Sequence, residues 1–136
     1  MKPGDLVKLG KLARLKTEAA RMRLGALIRH RNALLSDAMA LRRQATHVPA
    51  TPVPEMMLAW SDWQHSLLGR AASAGRQAQG MDAAIELARQ EVARLDGRES
   101  ALAEIASRAW LEDGRRRERQ GENNRVPKSR GSLSNT

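Results

Sequence analysis

Advancing from Trp60 by alternate steps of four and three residues, the sequence reads Trp, Gln, Leu, Ala, Ala, Ala, Met, Ile, Ala, Val, Leu, Glu, Leu, Ala and Ala, ending at Ala109. Thirteen of these fifteen positions are apolar. That is the a/d seam of a coiled coil sustained over about seven heptads, not the edge of a globule. Period-two alternation is absent and β-branched residues are scarce, so no strand competes for this segment. Gln64 and Glu99 interrupt the seam, and such polar entries can set register at some cost in stability.

A second Pro-free segment precedes this one. Its apolar stripe is broader: Leu6, Leu9, Ala13, Ala20, Leu24, Leu27, Ile28, Leu34, Leu35, Ala38 and Leu41. Lys16 and Arg31 fall on the stripe, where their aliphatic stems can cover it while the charges reach water. Between the segments stands Val-Pro-Ala-Thr-Pro-Val-Pro, residues 48–54, which no helix can cross. The pattern predicts an all-α chain. One domain over 1–113 holds a helix of about 5–46, a proline-rich turn at 48–54 and a helix of about 55–111. From 114 to 136 the sequence is basic, polar and short of apolar residues, and a disordered tail is expected.

Two long helices joined by a short rigid connection fold back as antiparallel neighbours, here an antiparallel two-helix coiled-coil hairpin. Folding about residues 49 and 50 sets position i against roughly 99 minus i, so that Leu41 meets Leu58, Leu34 meets His65 and Ile28 meets Ala71. In that register the first helix ends near residue 94 of the second. Residues 95–111, with Leu95, Leu102, Ile105, Ala109 and Trp110, then project with their apolar stripe uncovered.

Composition narrows the chemistry. Among 136 residues there is no Cys, Phe or Tyr, and the aromatics are Trp60, Trp63 and Trp110. Disulfides, thiolate nucleophiles and zinc-thiolate sites are excluded together. His30, His47 and His65 show no His-Glu-x-x-His or similar ligand spacing, and there is no Gly-x-x-x-x-Gly-Lys loop. A two-helix scaffold offers no cleft that shuts water away from a substrate. No enzyme activity, cofactor, metal or small-molecule substrate is expected. No apolar run reaches the roughly 18 to 20 residues of a membrane span, and no apolar signal core follows the N-terminus, which reads as cytosolic.

Charge points to binding. Residues 1–47 carry eleven basic and three acidic side chains, residues 55–111 six and eight, and the remainder from 112 seven and four. Opposite signs favour pairing of the two helices with each other. The excess positive charge collects at the two termini, which a hairpin brings to one end: Lys2, Lys8, Lys11, Arg14 and Lys16 beside Arg115, Arg116, Arg117 and Arg119. An acidic partner suits that end. Nucleic acid suits it less, since no aromatics are interleaved with the basic residues to stack on bases. At the other end, Trp60 is expected to plug the hairpin tip, and Trp63 with Met56 and Met57 forms a candidate adaptable patch.

This layout is similar to a known family. A basic, Leu-bearing first helix opening Leu6-Val7-Lys8-Leu9-Gly10-Lys11-Leu12-Ala13-Arg14-Leu15, a short turn, a longer returning helix and a charged C-terminal extension resemble the FliJ family of flagellar export coiled coils and its YscO-class secretion relatives. The chain departs from the family pattern in its Ala-rich, Glu-poor helices, its three-proline turn and its tail beyond Gly121. The resemblance implies a stalk whose terminal end enters the central hole of a hexameric export ATPase. It also implies contact with an export-gate membrane protein, handling of export chaperones, and a cytoplasmic location beside the inner-membrane export apparatus. The ATPase-facing residues it implies are Leu6, Lys8, Leu9, Lys11, Leu12, Arg14, Leu102, Ile105, Arg108 and Trp110. Toward the gate or a chaperone it implies Leu35, Met39, Arg42, Trp63 and Leu67. The alternative reading is a basic coiled-coil protein associated with nucleic acid through its Arg-rich tail. A third is a self-associating structural coiled coil.

Overall fold

A computed structural model describes residues 2–47 and 53–133, with side chains described through residue 124. All but five of the described residues are helical and none is in a strand. The elements are α1 (Pro3–Ala45), α2 (Pro54–Gly80) and α3 (Asp82–Leu133). The expected all-α fold is the observed one.

Local chemistry sets the helix ends. Asp5 in the first turn of α1 and Arg42 and Arg43 in its last turn complement the helix dipole. Val53 is extended (φ −99°, ψ 130°) and Pro54 takes the first helical position of α2, followed by Glu55 in the first turn. Proline at that position loses no intrahelical hydrogen bond, so Pro54 belongs to the helix and not to the turn expected at 48–54. Residues 48–52, the rest of that turn, lie outside the described residues.

The second helix departs from a single span of 55–111 in two ways. It is interrupted at Met81 (φ −83°, ψ −14°), whose N–H bonds to the Ala78 carbonyl three residues back at 3.2 Å. The normal ladder resumes with Ile85 N–H on the Met81 carbonyl at 2.9 Å. The helical backbone also continues through the segment expected to lack structure, as far as Leu133. Every described side chain from 114 to 124 is exposed. That stretch is held by its own ladder and by local pairs such as Arg117–Asp113 at 3.0 Å. A helix supported only locally is marginal in water.

The chain packs as two compact units, one of Met1–Thr17 with Arg94–Thr136 and the other of Glu18–Ala93. In the second unit α1 lies antiparallel to α2 and the start of α3. Arg31 Nε stands 2.9 Å from Asp82 Oδ1, and Asp37, Leu41 and Gln44 share a groove with Gln77, Ala74 and Arg70. In the first unit Arg14 Nε stands 3.7 Å from Glu99 Oε1, and Gly10 and Lys11 share a groove with Leu102 and Ala103. In each unit facing residues sum to about 113, not 99.

The periodic seam is fully confirmed by burial. All fifteen positions from Trp60 to Ala109 are buried or half-buried. The α1 stripe follows a heptad at positions 3, 6, 10, 13, 17, 20, 24, 27, 31, 34, 38, 41 and 45, all buried or half-buried, joined by half-buried Gly25 and Ile28, while Leu9 and Leu35 are exposed. By that register Leu34 is set against Ala78 and Leu41 against Ala71, small opposite large; Ala71 and Ala78 are each 1% exposed.

The corrected register removes the expected overhang. Leu95 is buried, and Leu102, Ala106 and Ala109 are half-covered by the start of α1, so residues 95–109 do not project bare. Within the second unit it is the beginning of α2 that has little of α1 opposite it. There Gln64 Nε2 donates to the Ala45 carbonyl and Trp60 Nε1 to the His47 carbonyl, each at 3.0 Å. Gln64 thus satisfies the carbonyl of the last residue of α1, which lacks an intrahelical donor, and Trp60 holds the chain two residues beyond it.

Candidate docking surface

The first unit presents two grooves, one on each flank of its seam. One flank is lined by Val7, Gly10, Lys11 and Arg14 of α1 with Glu99 and Ala103 of α3, and the Arg14–Glu99 pair crosses it. The other is longer. At one end Leu9, Leu12 and Lys16 face Leu95 and Arg98; at the other Leu6 and Leu9 face Ile105, Arg108 and Glu112, with Leu102 common to both ends. Leu12 is 55% and Ile105 50% exposed. Arg108 is held by Glu104 one turn back at 2.6 Å.

The heptad explains this arrangement. Leu9 and Lys16 immediately precede seam positions of α1, and Arg98, Ile105 and Glu112 do the same on α3. In an antiparallel pair these flanking rows face each other across one side of the seam. Flanking rows are usually charged; here Leu9 and Ile105 are apolar between the charged Lys16–Arg98 and Glu112 positions and extend the seam to the surface.

The residues expected to face an ATPase therefore divide. Leu9, Leu12, Ile105 and Arg108 share the longer groove, with Leu6 and Leu102 forming its floor. Leu6 is 6% exposed and works mainly in the helix pair, and Leu102 is half-buried. Lys11 and Arg14 line the opposite flank, while Lys8 and Trp110 are exposed outside both grooves. Arg98 was not singled out in the sequence, and Lys16 only as part of the basic end; their spacing from the seam marks both as flanking residues.

In the second unit the residues expected to meet a gate or chaperone do not form one surface. Leu35, Met39, Arg42 and Trp63 are exposed, whereas Leu67 is buried in the seam and works in the helix pair. By heptad position Leu35 and Arg42 flank one side of the seam, Trp63 the other, and Met39 points outward. Trp63 is instead grouped along α2 with exposed Met56, Met57 and Leu58.

Arg31 holds a seam position, as its place on the stripe implied, while Thr17 holds the one next to Lys16, which is exposed. Thr17 is fully buried and satisfies its hydroxyl on the Ala13 carbonyl at 2.9 Å. Arg31 Nε is close to Asp82 but is not aimed at it, and this buried N–H has no hydrogen-bond acceptor. Among the described residues no group of three or more His, Cys, Asp or Glu is placed to hold a metal ion. No helix among them is long and apolar enough to cross a membrane. No family model, curated protein or solved structure matches this chain.

Proposed function

We propose that this chain is a non-catalytic stalk or adaptor of a flagellar or related type III export ATPase, acting at the inner-membrane export apparatus. The observation that carries the reading is the first unit. It joins the basic start of α1 to α3 and leaves Leu9, Leu12, Ile105 and Trp110 exposed among cations. Exposed apolar side chains with a basic rim suit a partner that is apolar and acidic. The resemblance of this layout to the FliJ family is what points to a hexameric export ATPase as the partner at this end. Contacts with an export-gate protein or chaperone fall to the exposed Trp63–Met56–Met57 group and to Leu35, Met39 and Arg42.

Reversing Lys8, Lys11 and Arg14 together to Glu is expected to abolish co-purification with a co-expressed type III export ATPase, with helicity unchanged by circular dichroism, since all three side chains are exposed. Undiminished co-purification overturns the reading. A second reading rests on Arg115, Arg116, Arg117 and Arg119, all exposed on one helical stretch: a nucleic-acid-associated coiled coil. It requires binding of DNA or RNA that weakens steeply with salt and is lost on deleting residues 114–136.

A further inference from the structure

We infer that the longer groove of the first unit is the seat of a third helix, an acidic amphipathic helix supplied by a partner protein. This deepens the proposed function and rests on it for taking the terminal unit as the docking end. The groove itself stands on three features of the molecule.

The first is shape and polarity. Leu9 and Leu12 on α1 face Leu102 and Ile105 on α3, so the two helices offer an apolar trough along one side of their seam. Residues 95–112 form the α3 wall, about 25 Å of helix, a length that four to five turns of a third helix cover. A helix laid there with apolar residues at three- and four-residue spacing completes a local three-helix bundle.

The second is charge. Lys16 and Arg98 stand on the two walls at the same end of the trough, and neither makes an ion pair among the described residues. Arg108 nearer the other end is already neutralised by Glu104. The unpaired cations therefore sit together, and an occupant with carboxylates flanking its apolar stripe at that end neutralises both. At the rim such pairs act mainly on specificity and association rate.

The third is the exclusion of nearer occupants by the same chemistry. A second copy of the unit brings like charge, since residues 1–17 hold five basic side chains against one acidic. The end of the chain carries Arg115, Arg116, Arg117 and Arg119 and continues straight from the groove's own wall in α3.

The test uses the full chain and three designed helical peptides of about 18 residues that share one Leu heptad stripe and differ only in flanking Glu, Lys or Gln. Binding is read by fluorescence anisotropy. The Glu peptide is expected to bind about tenfold or more tightly than the Lys peptide, and Leu12→Glu or Ile105→Glu to weaken it by a similar factor. Lys16→Glu with Arg98→Glu is expected to invert the preference toward the Lys peptide. Leu12→Ser gives the same loss without added charge, and circular dichroism verifies helicity for each variant. Equal binding of the Glu and Lys peptides, or no loss in the Leu12 and Ile105 variants, overturns the inference. So does a sedimentation mass showing two copies joined through this face. Binding as expected without ATPase association overturns the proposed function and leaves the groove standing. The reverse pattern overturns the groove alone, because Lys8, Lys11 and Arg14 do not line it.

Discussion

Ile85→Asp is expected to lower the stability of the second unit by about 4 kcal/mol or more and to bring the chain close to unfolding at ambient temperature. Ile85 is 3% exposed, on the α3 seam just after the break at Met81, and the register sets it against Leu27. Truncating a buried Ile typically costs about 2–5 kcal/mol. A seam only two helices thick can relax around the gap, so the lower half of that range applies to Ile85→Ala. An aspartate adds an unpaired carboxylate in a site closed to water, worth several more kcal/mol unless it takes up a proton. Against a total of about 5–15 kcal/mol for a typical domain, that is a large fraction. Leu87→Asp, two positions on and 67% exposed, is the control and should change stability by no more than about 0.5 kcal/mol. Thermal melts followed by circular dichroism decide between them. Equal melting temperatures for the two variants would mean that the helices do not pair through this seam.

Arg31 should respond in opposite directions to two substitutions. It occupies a seam position where every heptad rule asks for an apolar side chain, and its Nε–H is buried without an acceptor. Its ion pair with Asp82 is partly solvated, both side chains being more than a third exposed, so the Coulombic gain is modest. Arg31→Leu is expected to stabilise the unit by about 1–2 kcal/mol, through added apolar burial and removal of the unsatisfied donor. Arg31→Glu sets a second carboxylate beside Asp82 and is expected to destabilise by about 2–3 kcal/mol. Urea denaturation with both variants reads the two signs. A loss of more than about 1 kcal/mol in Arg31→Leu would show that the pair is a net stabilising contact and not a concession within the seam.

What the sequence made legible, and what it did not, follows from the repeat itself. A heptad maps onto itself every seven residues. Periodicity therefore finds the seam positions, as it did for Trp60 to Ala109, and is indifferent to sliding one helix past the other by whole heptads. The register near 99 and the observed one near 113 differ by about two heptads, and both set apolar against apolar. The choice falls to side chains outside the apolar pattern: Gln64 on the carbonyl that ends α1, Trp60 on the one two residues beyond it, Arg14 on Glu99, and Arg31 beside Asp82. Gln64 and Glu99 were visible as seam interruptions, but their partners could not be read from one strand of the pair.

The candidate site shows the same division. Exposed Leu9, Leu12 and Ile105 were legible as apolar residues near the termini. Only the corrected register places them around one groove with Lys16 and Arg98, while burying Leu6 and Leu67 in the pairing. Strict heptad stepping back from Leu6 to Pro3 and on to Ala45 would have separated seam from flank in α1. The broad apolar stripe hid it because Gly10 and Thr17 hold seam positions.

The most direct measurement of the proposed function is the stoichiometry of the chain with the export ATPase proposed as its partner, by native mass spectrometry of the assembled ring. A stalk held in a single central hole predicts one copy of this chain per six ATPase subunits, with that complex lost in the Lys8, Lys11 and Arg14 reversal. One copy bound to each ATPase subunit, or a ring that assembles with none, would contradict it.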